Sequence, residues 1–343
     1  MLIVLVTTVL FSSCSRDRID RDLNTYESPN AYLDSKKQDE QVFVIDTAGE
    51  GPIIGNQGTT IWGSIDCLQL PGGAPVDYPF IVKLVELYTP KDMIYYRMPT
   101  VAAGMPLETA GEIRLRAEKD GQELVLSQPC AFKVSMPNAS PTLNYMNVYY
   151  GNENGDLVDW TTDLGLWGIT QTQNPVFDVD TIGYTAFIEK LGWINADRSV
   201  STSGTYSITF DSDEDDLSNV IFFAYLPDSK TVLQSSGGII SGIPSGAFAK
   251  LVAIAVNTSG DLFHFHQGKV IYHLCFAPNP LIFHTYLLSS TQGEYSRLKL
   301  CIFLNLIRQY QIGSRSKGHI RIFLFPSNLK VATHQPRVLN QSF

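Results

Sequence analysis

The sequence predicts an all-β fold of two consecutive antiparallel β-sandwich domains, and three observations carry that prediction. Short runs rich in branched and aromatic residues recur between residues 41 and 266, among them Val42-Phe43-Val44-Ile45, Phe80-Ile81-Val82-Lys83-Leu84-Val85, Ile113-Arg114-Leu115-Arg116-Ala117 and Phe132-Lys133-Val134. Turn formers divide them, including Pro71-Gly72-Gly73, Lys119-Asp120-Gly121 and Ser235-Ser236-Gly237-Gly238. Short strands with turns at this spacing are the pattern of sandwiches and barrels. No stretch holds a helical period long enough for a long helix, and residues 186–191 supply one helical turn at most.

The chain has 343 residues, 44% hydrophobic and 17% charged, enough for two or three domains. Residues 2–11 form a largely apolar run without charge. A helix needs ~20 residues to span a bilayer, so this run suits the apolar core of a signal peptide over residues 1–13. Ser12-Ser13-Cys14 follows, and it resembles the lipobox of bacterial lipoproteins. The resemblance implies cleavage before Cys14 and acylation of that residue. Phe11 stands where the motif prefers Leu or Val, and no Lys or Arg follows Met1, which points to a start codon placed slightly late.

Residues 14–40 are polar and mixed in charge, with Tyr26 and Tyr32 as their aromatics and no apolar periodicity. Such a segment buries too little surface to offset its ordering entropy, so a flexible tether outside the core is expected. The first sandwich is expected over 41–137, ending at the turn formers Pro137-Asn138-Ala139-Ser140-Pro141-Thr142. The second is expected over 142–266, with strands at 205–210, 220–226 and 249–256. The last two are almost continuously apolar, as strands covered on both faces are.

Composition changes abruptly at His264. Before it lie 16 Lys+Arg and 33 Asp+Glu; from it onward lie 9 Lys+Arg, a single Glu294 and all six histidines. One reading makes residues 267–343 a basic module for phosphate, nucleic acid or an anionic surface, using Arg297, Lys299, Arg308, Arg315, Lys317 and Arg321. Those cations are scattered among apolar runs without a common face. The reading adopted is a frameshift near residues 264–271, which leaves a non-native or poorly ordered tail and no nucleic-acid partner.

The lack of histidine before 264 excludes Ser-His-Asp and Cys-His nucleophiles and His-ligated metals from residues 41–263. No cofactor is expected and catalysis is not. Carboxylate chemistry remains open, because paired acids leave no sequence trace. The acids at 211–216 lack the Gly and bidentate acid that an EF-hand needs at its sixth and twelfth positions, so they read as a solvated turn. Residues 49–55 lack the Gly-Lys-Ser/Thr ending of a phosphate loop.

Aromatic side chains on sandwiches stack against sugar faces, so Trp62, Trp160, Trp167 and Trp193 are weighed against simple core packing. Trp160, Trp167, Asp163 and Trp193 are the candidate ligand-binding residues, with Trp160 and Trp167 first because they flank a polar turn. Cys67 and Cys130 are a candidate disulfide, with two buried thiols as the alternative.

A family resemblance rests on Gly58-Thr59-Thr60-Ile61, Val85-Glu86-Leu87-Tyr88, Leu107-Glu108-Thr109-Ala110-Gly111-Glu112-Ile113, Met146-Asn147-Val148-Tyr149-Tyr150-Gly151 and Leu191-Gly192-Trp193-Ile194-Asn195-Ala196-Asp197-Arg198. In order and spacing these resemble uncharacterised Bacteroidota-type lipoproteins. The first domain of that group is similar to the β-sandwich shared by zonula-occludens proteins, netrin receptors and ankyrins. The resemblance covers about residues 49–261 and implies a scaffold with no settled activity. It also implies that Cys14 followed by Ser15 permits carriage to the outer membrane. Envelope proteins or glycans are the expected partners.

Overall fold

The computed structural model describes residues 25–49, 51–137, 142–154, 157–181, 183–212, 217–256, 260, 262–271, 286–287 and 320–326. Its elements begin with α1 (Pro29–Ser35), β1 (Gln41–Ile45), β2 (Ile53–Ile54), β3 (Thr60–Trp62), β4 (Leu68–Gln69), β5 (Phe80–Leu87), α2 (Pro90–Tyr96), β6 (Val101–Ala102), β7 (Met105–Lys119) and β8 (Gln122–Glu123). Next come β9 (Val125–Leu126), β10 (Phe132–Pro137), β11 (Asn147–Asn154), β12 (Leu157–Thr161), β13 (Asp178–Val179), β14 (Gly183–Ile188) and β15 (Gly192–Ser199). The rest are β16 (Thr205–Ser212), β17 (Val220–Leu226), β18 (Thr231–Gln234), β19 (Ile239–Pro244), β20 (Phe248–Val256), β21 (Leu262–Ile271), β22 (Tyr286–Leu287) and β23 (Ile320–Pro326). The fold is all-β, with antiparallel ladders such as β5 on β7 and β17 on β20. No helix among the described residues is long and apolar enough to cross a membrane.

Alternation along the strands arranges the sheets in four layers. The first sandwich pairs the sheet β1-β5-β7-β15-β11-β12 with the sheet β13-β14-β10-β3-β2. Val82, Leu84, Ile113, Leu115 and Ile194 from one meet Ile61, Phe132, Val134, Tyr184 and Ile188 from the other. The second sandwich pairs β18-β17-β20-β21-β22 with β19-β16-β23, enclosing Phe222, Ala224 and Leu251 against Ile208, Phe210 and Ile240.

A third apolar cluster forms the seam between the sandwiches. Val85, Leu87, Tyr149, Trp160 and Trp193 pack there with Phe223, Val232 and Ile254, while Leu33 of α1 and Met93 of α2 fill the same space. Successive side chains of a strand point to opposite faces, so Phe222 enters the second sandwich's core and Phe223 the seam. The two inner sheets are thus covered on both sides, which accounts for the continuous apolarity of 220–226 and 249–256.

Hydrogen bonds stitch the seam. Thr100 N–H donates to Val232 O (2.9 Å), Thr109 N–H to Ser229 O (3.1 Å), and the Thr231 hydroxyl to Leu107 O (2.6 Å). Gly242, at φ +85°, lies where a Cβ would sit 3.1 Å from Gly104 O, so the sandwiches approach backbone to backbone there.

Three expectations are corrected. The turn formers at 137–142 do not divide the two sandwiches. β7 pairs β15 from Leu115↔Gly192 to Leu107↔Ser199, and β10 pairs β14 from Phe132↔Ile188 to Pro137↔Gly183, so two ladders join strands from either side of those turn formers. The first sandwich extends to Ser199. Residues 25–40 are not a tether outside the core: Ser28 caps α1, accepting from Ala31 N–H at 3.1 Å, and Pro29 opens it. That seven-residue helix is too short for sequence periodicity, yet it buries Leu33 completely. Residues 186–191 form no helical turn, because residues 186–188 are the end of β14.

The composition step at His264 falls inside β21, which pairs with β20. Farther along, β23 pairs with β16 from Tyr206↔Pro326 to Ser212↔Ile320. Residues 213–216 of the acidic run lie outside the described residues.

Candidate binding face

Cys14 lies outside the described residues. The four tryptophans of the chain occupy three different surroundings. Trp160 is 1% exposed in the seam, where its indole N–H donates to Pro99 O at 2.8 Å. Trp193 is 4% exposed in the same cluster. Its N–H donates to Glu153 Oε1 at 2.7 Å, the Arg114 guanidinium lies 5.4 Å from its ring, and Tyr96 meets it edge-on. Gly151 makes room for that ring's chain: a Cβ there would fall 2.6 Å from Trp193 Cβ.

Trp167 lies elsewhere, half-buried against the first sandwich's core. It ends a short 3-10 turn (Leu164–Trp167) capped by Asp163, whose Oδ1 accepts from Gly165 N–H at 2.8 Å. Lys190 Nζ sits 4.3 Å above its ring, and burial holds that ammonium's pKa below the usual lysine value. The candidate set Trp160, Trp167, Asp163 and Trp193 is therefore not one surface. Trp160 and Trp193 are packing residues, and Asp163 serves its own backbone turn.

The seam also holds Glu112 and Asp197, both completely buried. Asn195 bridges them, donating from Nδ2 to Asp197 Oδ2 (2.7 Å) and Glu112 Oε1 (3.4 Å), while its Oδ1 accepts from the Thr109 hydroxyl (3.0 Å). A register shift between Ala196 and Asp197 creates this arrangement, opposite Gly111 at φ +139°. Glu112 Oε2 and Asp197 Oδ1 have no hydrogen-bond partner. Burial pushes both carboxyls well above the usual range, so the protonated forms are favoured. Two further buried carboxylates among the described residues are staples: Glu86 accepts from Gln57 and Thr59 N–H, and Glu189 from Thr172 and Gln173 N–H.

An open cleft of about 470 Å³ lies where Glu108 and Arg198 meet Asp228, Ser229 and Phe248. Glu108 is already neutralised by Arg198 at 2.6 Å, and Arg198 also donates to Asn144 O at 3.0 Å. Among the described residues no group of three or more His, Cys, Asp or Glu is placed to hold a metal ion.

The outer face of the sheet β13-β14-β10-β3-β2 differs from these interiors. Ile61, Val134 and Ile188 point inward, so their neighbours Trp62, Lys133 and Phe187 point outward. Lys133 is registered directly opposite Trp62 on one side and Phe187 on the other, which puts the three in a row across adjacent strands. Two strand spacings separate the rings' backbones by roughly 9–10 Å. Trp62 remains 39% and Phe187 49% exposed.

Lys133 Nζ lies 4.8 Å from the Trp62 ring centroid, and no carboxylate among the described residues forms an ion pair with it. Beside this row runs a second, Ile54–Thr60–Ser135–Thr185–Asp178, in which the Thr185 hydroxyl donates to Ser135 Oγ at 3.1 Å. After Trp62 the chain must pass close over Phe132, since a Cβ on Gly63 would lie 2.5 Å from that ring.

No protein-family model, curated protein or solved structure matches the chain. The chemistry of the face is two exposed aromatic rings, a cation between them and a border of hydroxyls that ends in Ile54 on one side and Asp178 on the other. Trp62 is a candidate from the sequence alone, whereas Lys133 and Phe187 are not. The missing signal was strand register, which places on one row residues from three strands far apart in sequence.

Cys67 and Cys130 form a disulfide with Cα atoms 5.4 Å apart. It joins the turn before β4 to the segment entering β10, beside the core of the first sandwich.

Proposed function

We propose that the chain is an exported cell-envelope protein, held at a membrane by lipid on Cys14, whose sandwiches have a binding or structural role and not a catalytic one. The observation that carries the reading is the Cys67–Cys130 disulfide, because such bonds persist in oxidising compartments outside the cytosol. Residues 2–11 and Ser12-Ser13-Cys14 supply the signal and the anchor in this reading, and Ser15 favours the outer membrane. The non-catalytic role is supported by the buried carboxylates: Glu86 and Glu189 are bound to backbone N–H groups, and Glu112 and Asp197 have no solvent access.

Expression in a Gram-negative host with an alkyne analogue of palmitate tests the anchor. The wild-type chain is expected to take up label and fractionate with the outer membrane, and Cys14→Ser to do neither. Equal labelling of the two chains would remove Cys14 as the anchor. Turnover of any polysaccharide by the purified chain would remove the non-catalytic assignment.

A further inference from the structure

We propose that the outer face of the sheet β13-β14-β10-β3-β2 binds an acidic polysaccharide, with Trp62 and Phe187 stacking on sugar rings and Lys133 pairing with a carboxylate between them. This goes beyond membrane attachment, and it moves glycan recognition from Trp160 and Trp193, which the seam seals, to a face that is open.

A pyranose presents an apolar C–H face ringed by hydroxyls, and both halves of that chemistry are met here. Trp62 and Phe187 offer aromatic surface at two points on a flat sheet. Their separation of roughly 9–10 Å is close to the length of a disaccharide, so alternate sugars of an extended chain reach both rings. Thr60, Ser135 and Thr185 border the row with hydroxyls that exchange hydrogen bonds with sugar hydroxyls.

Charge selects the class of glycan. Lys133 is the cation between the rings, and it is not neutralised by any described carboxylate. The chain as a whole carries a net charge of -9, so an unpaired ammonium at the centre of an aromatic row is a local feature and not part of a general basic surface. The ring quadrupole of Trp62 holds the ammonium above the indole in the free protein. A uronate carboxylate draws it off and leaves the ring for the adjoining sugar. A protein partner is disfavoured, because the ammonium interrupts the aromatic row and the bordering row is polar except at Ile54.

Affinity electrophoresis of the purified full chain in gels holding polygalacturonate tests this, with fully methyl-esterified polygalacturonate as the neutral counter-probe. The wild-type chain is expected to be retarded by the acidic polymer more than by the ester. Trp62→Ala and Phe187→Ala are each expected to weaken binding roughly tenfold with the melting temperature little changed. Lys133→Met, which keeps the apolar stem, is expected to abolish the preference for the acidic form while retaining weak binding to both.

Equal retardation of wild type and Trp62→Ala would overturn the site, and an unchanged preference in Lys133→Met would overturn the ligand class. A wild-type dimer in sedimentation that Trp62→Ala dissolves would make a second copy the occupant and overturn the proposal. Acylation is read by label and not by retention, so loss of the Cys14 anchor and loss of this face are separate outcomes.

Discussion

In the seam, Trp160 and Trp193 are almost completely buried and both indole N–H groups have acceptors. On the opposite side of the same sandwich, Trp62 and Phe187 stand in an equally regular strand context and keep 39% and 49% of their surface. The difference lies in what each sheet faces. The sheet containing β12 and β15 is one of the two inner layers, covered by the second sandwich and by α1 and α2, whereas the sheet containing β3 and β14 is an outer layer. Burial of a strand aromatic is decided here by the stacking order of whole sheets and not by the residue's local sequence.

The largest expected effect falls on the seam. Trp160→Ala removes a fully buried indole and leaves Pro99 O without its donor, so urea unfolding is expected to show a loss of about 3–5 kcal/mol. Trp62→Ala losing as much would erase the contrast between the two regions.

The disulfide comes next. Cys67→Ala with Cys130→Ala opens a covalent link spanning 63 residues and is expected to cost about 2–4 kcal/mol, read as a fall in denaturation midpoint. Because the link lies in the first sandwich, the same variant is expected to leave the seam's near-ultraviolet tryptophan signal intact until global unfolding.

The seam is also expected to respond to pH in a way the outer face does not. Glu112 and Asp197 have raised folded-state pKa values, so above the ordinary carboxylate range the folded chain holds protons that the unfolded chain has released. Their contribution is fully present below that range, from about pH 4 downward, and is lost as pH rises toward the folded-state values. Glu108, which pairs with Arg198 at 2.6 Å, adds to the upward push on Asp197, and Asp197 adds to that on Glu112. Glu112→Gln cannot ionise and is expected to flatten the decline of stability between acidic and alkaline pH. A parallel, unflattened profile would show that Glu112 does not titrate with unfolding.

The smallest effect is expected on the outer face. Trp62→Ala is expected to change stability by about 1 kcal/mol or less, because much of the ring remains in water when folded.

The all-β class was legible because alternation and turn formers are local signals, and β1, β5, β10, β17 and β20 lie where those signals place them. The four-layer order was half legible. Phe222-Phe223 and its neighbours show that a strand is covered twice, but not by what. The boundary at 137–142 was misread because a cluster of Pro, Asn and Ser marks any loop, and only pairing shows that β14 and β15 return to the first sandwich. α1 carried its start signal in Ser28-Pro29 but too few residues for a period. Trp62 could be assigned an inward or outward side from Ile61, whereas its row with Lys133 and Phe187 depends on three strands meeting in one register.

The pairing of β7 with β15 and of β10 with β14 sets an order on assembly during synthesis. A chain leaving the ribosome from its N-terminus has β1, β5 and β7 in hand early, but β7 has an open hydrogen-bonding edge until β15 emerges. The central strand of the largest sheet thus waits for residues 192–199, with Ile113 and Leu115 lacking Ile194 beside them. A fragment stopped at residue 137 holds β1, β5 and β7 of one sheet and β2, β3 and β10 of the other and completes neither, so the nascent first sandwich is open to edge-to-edge pairing until its last strand arrives.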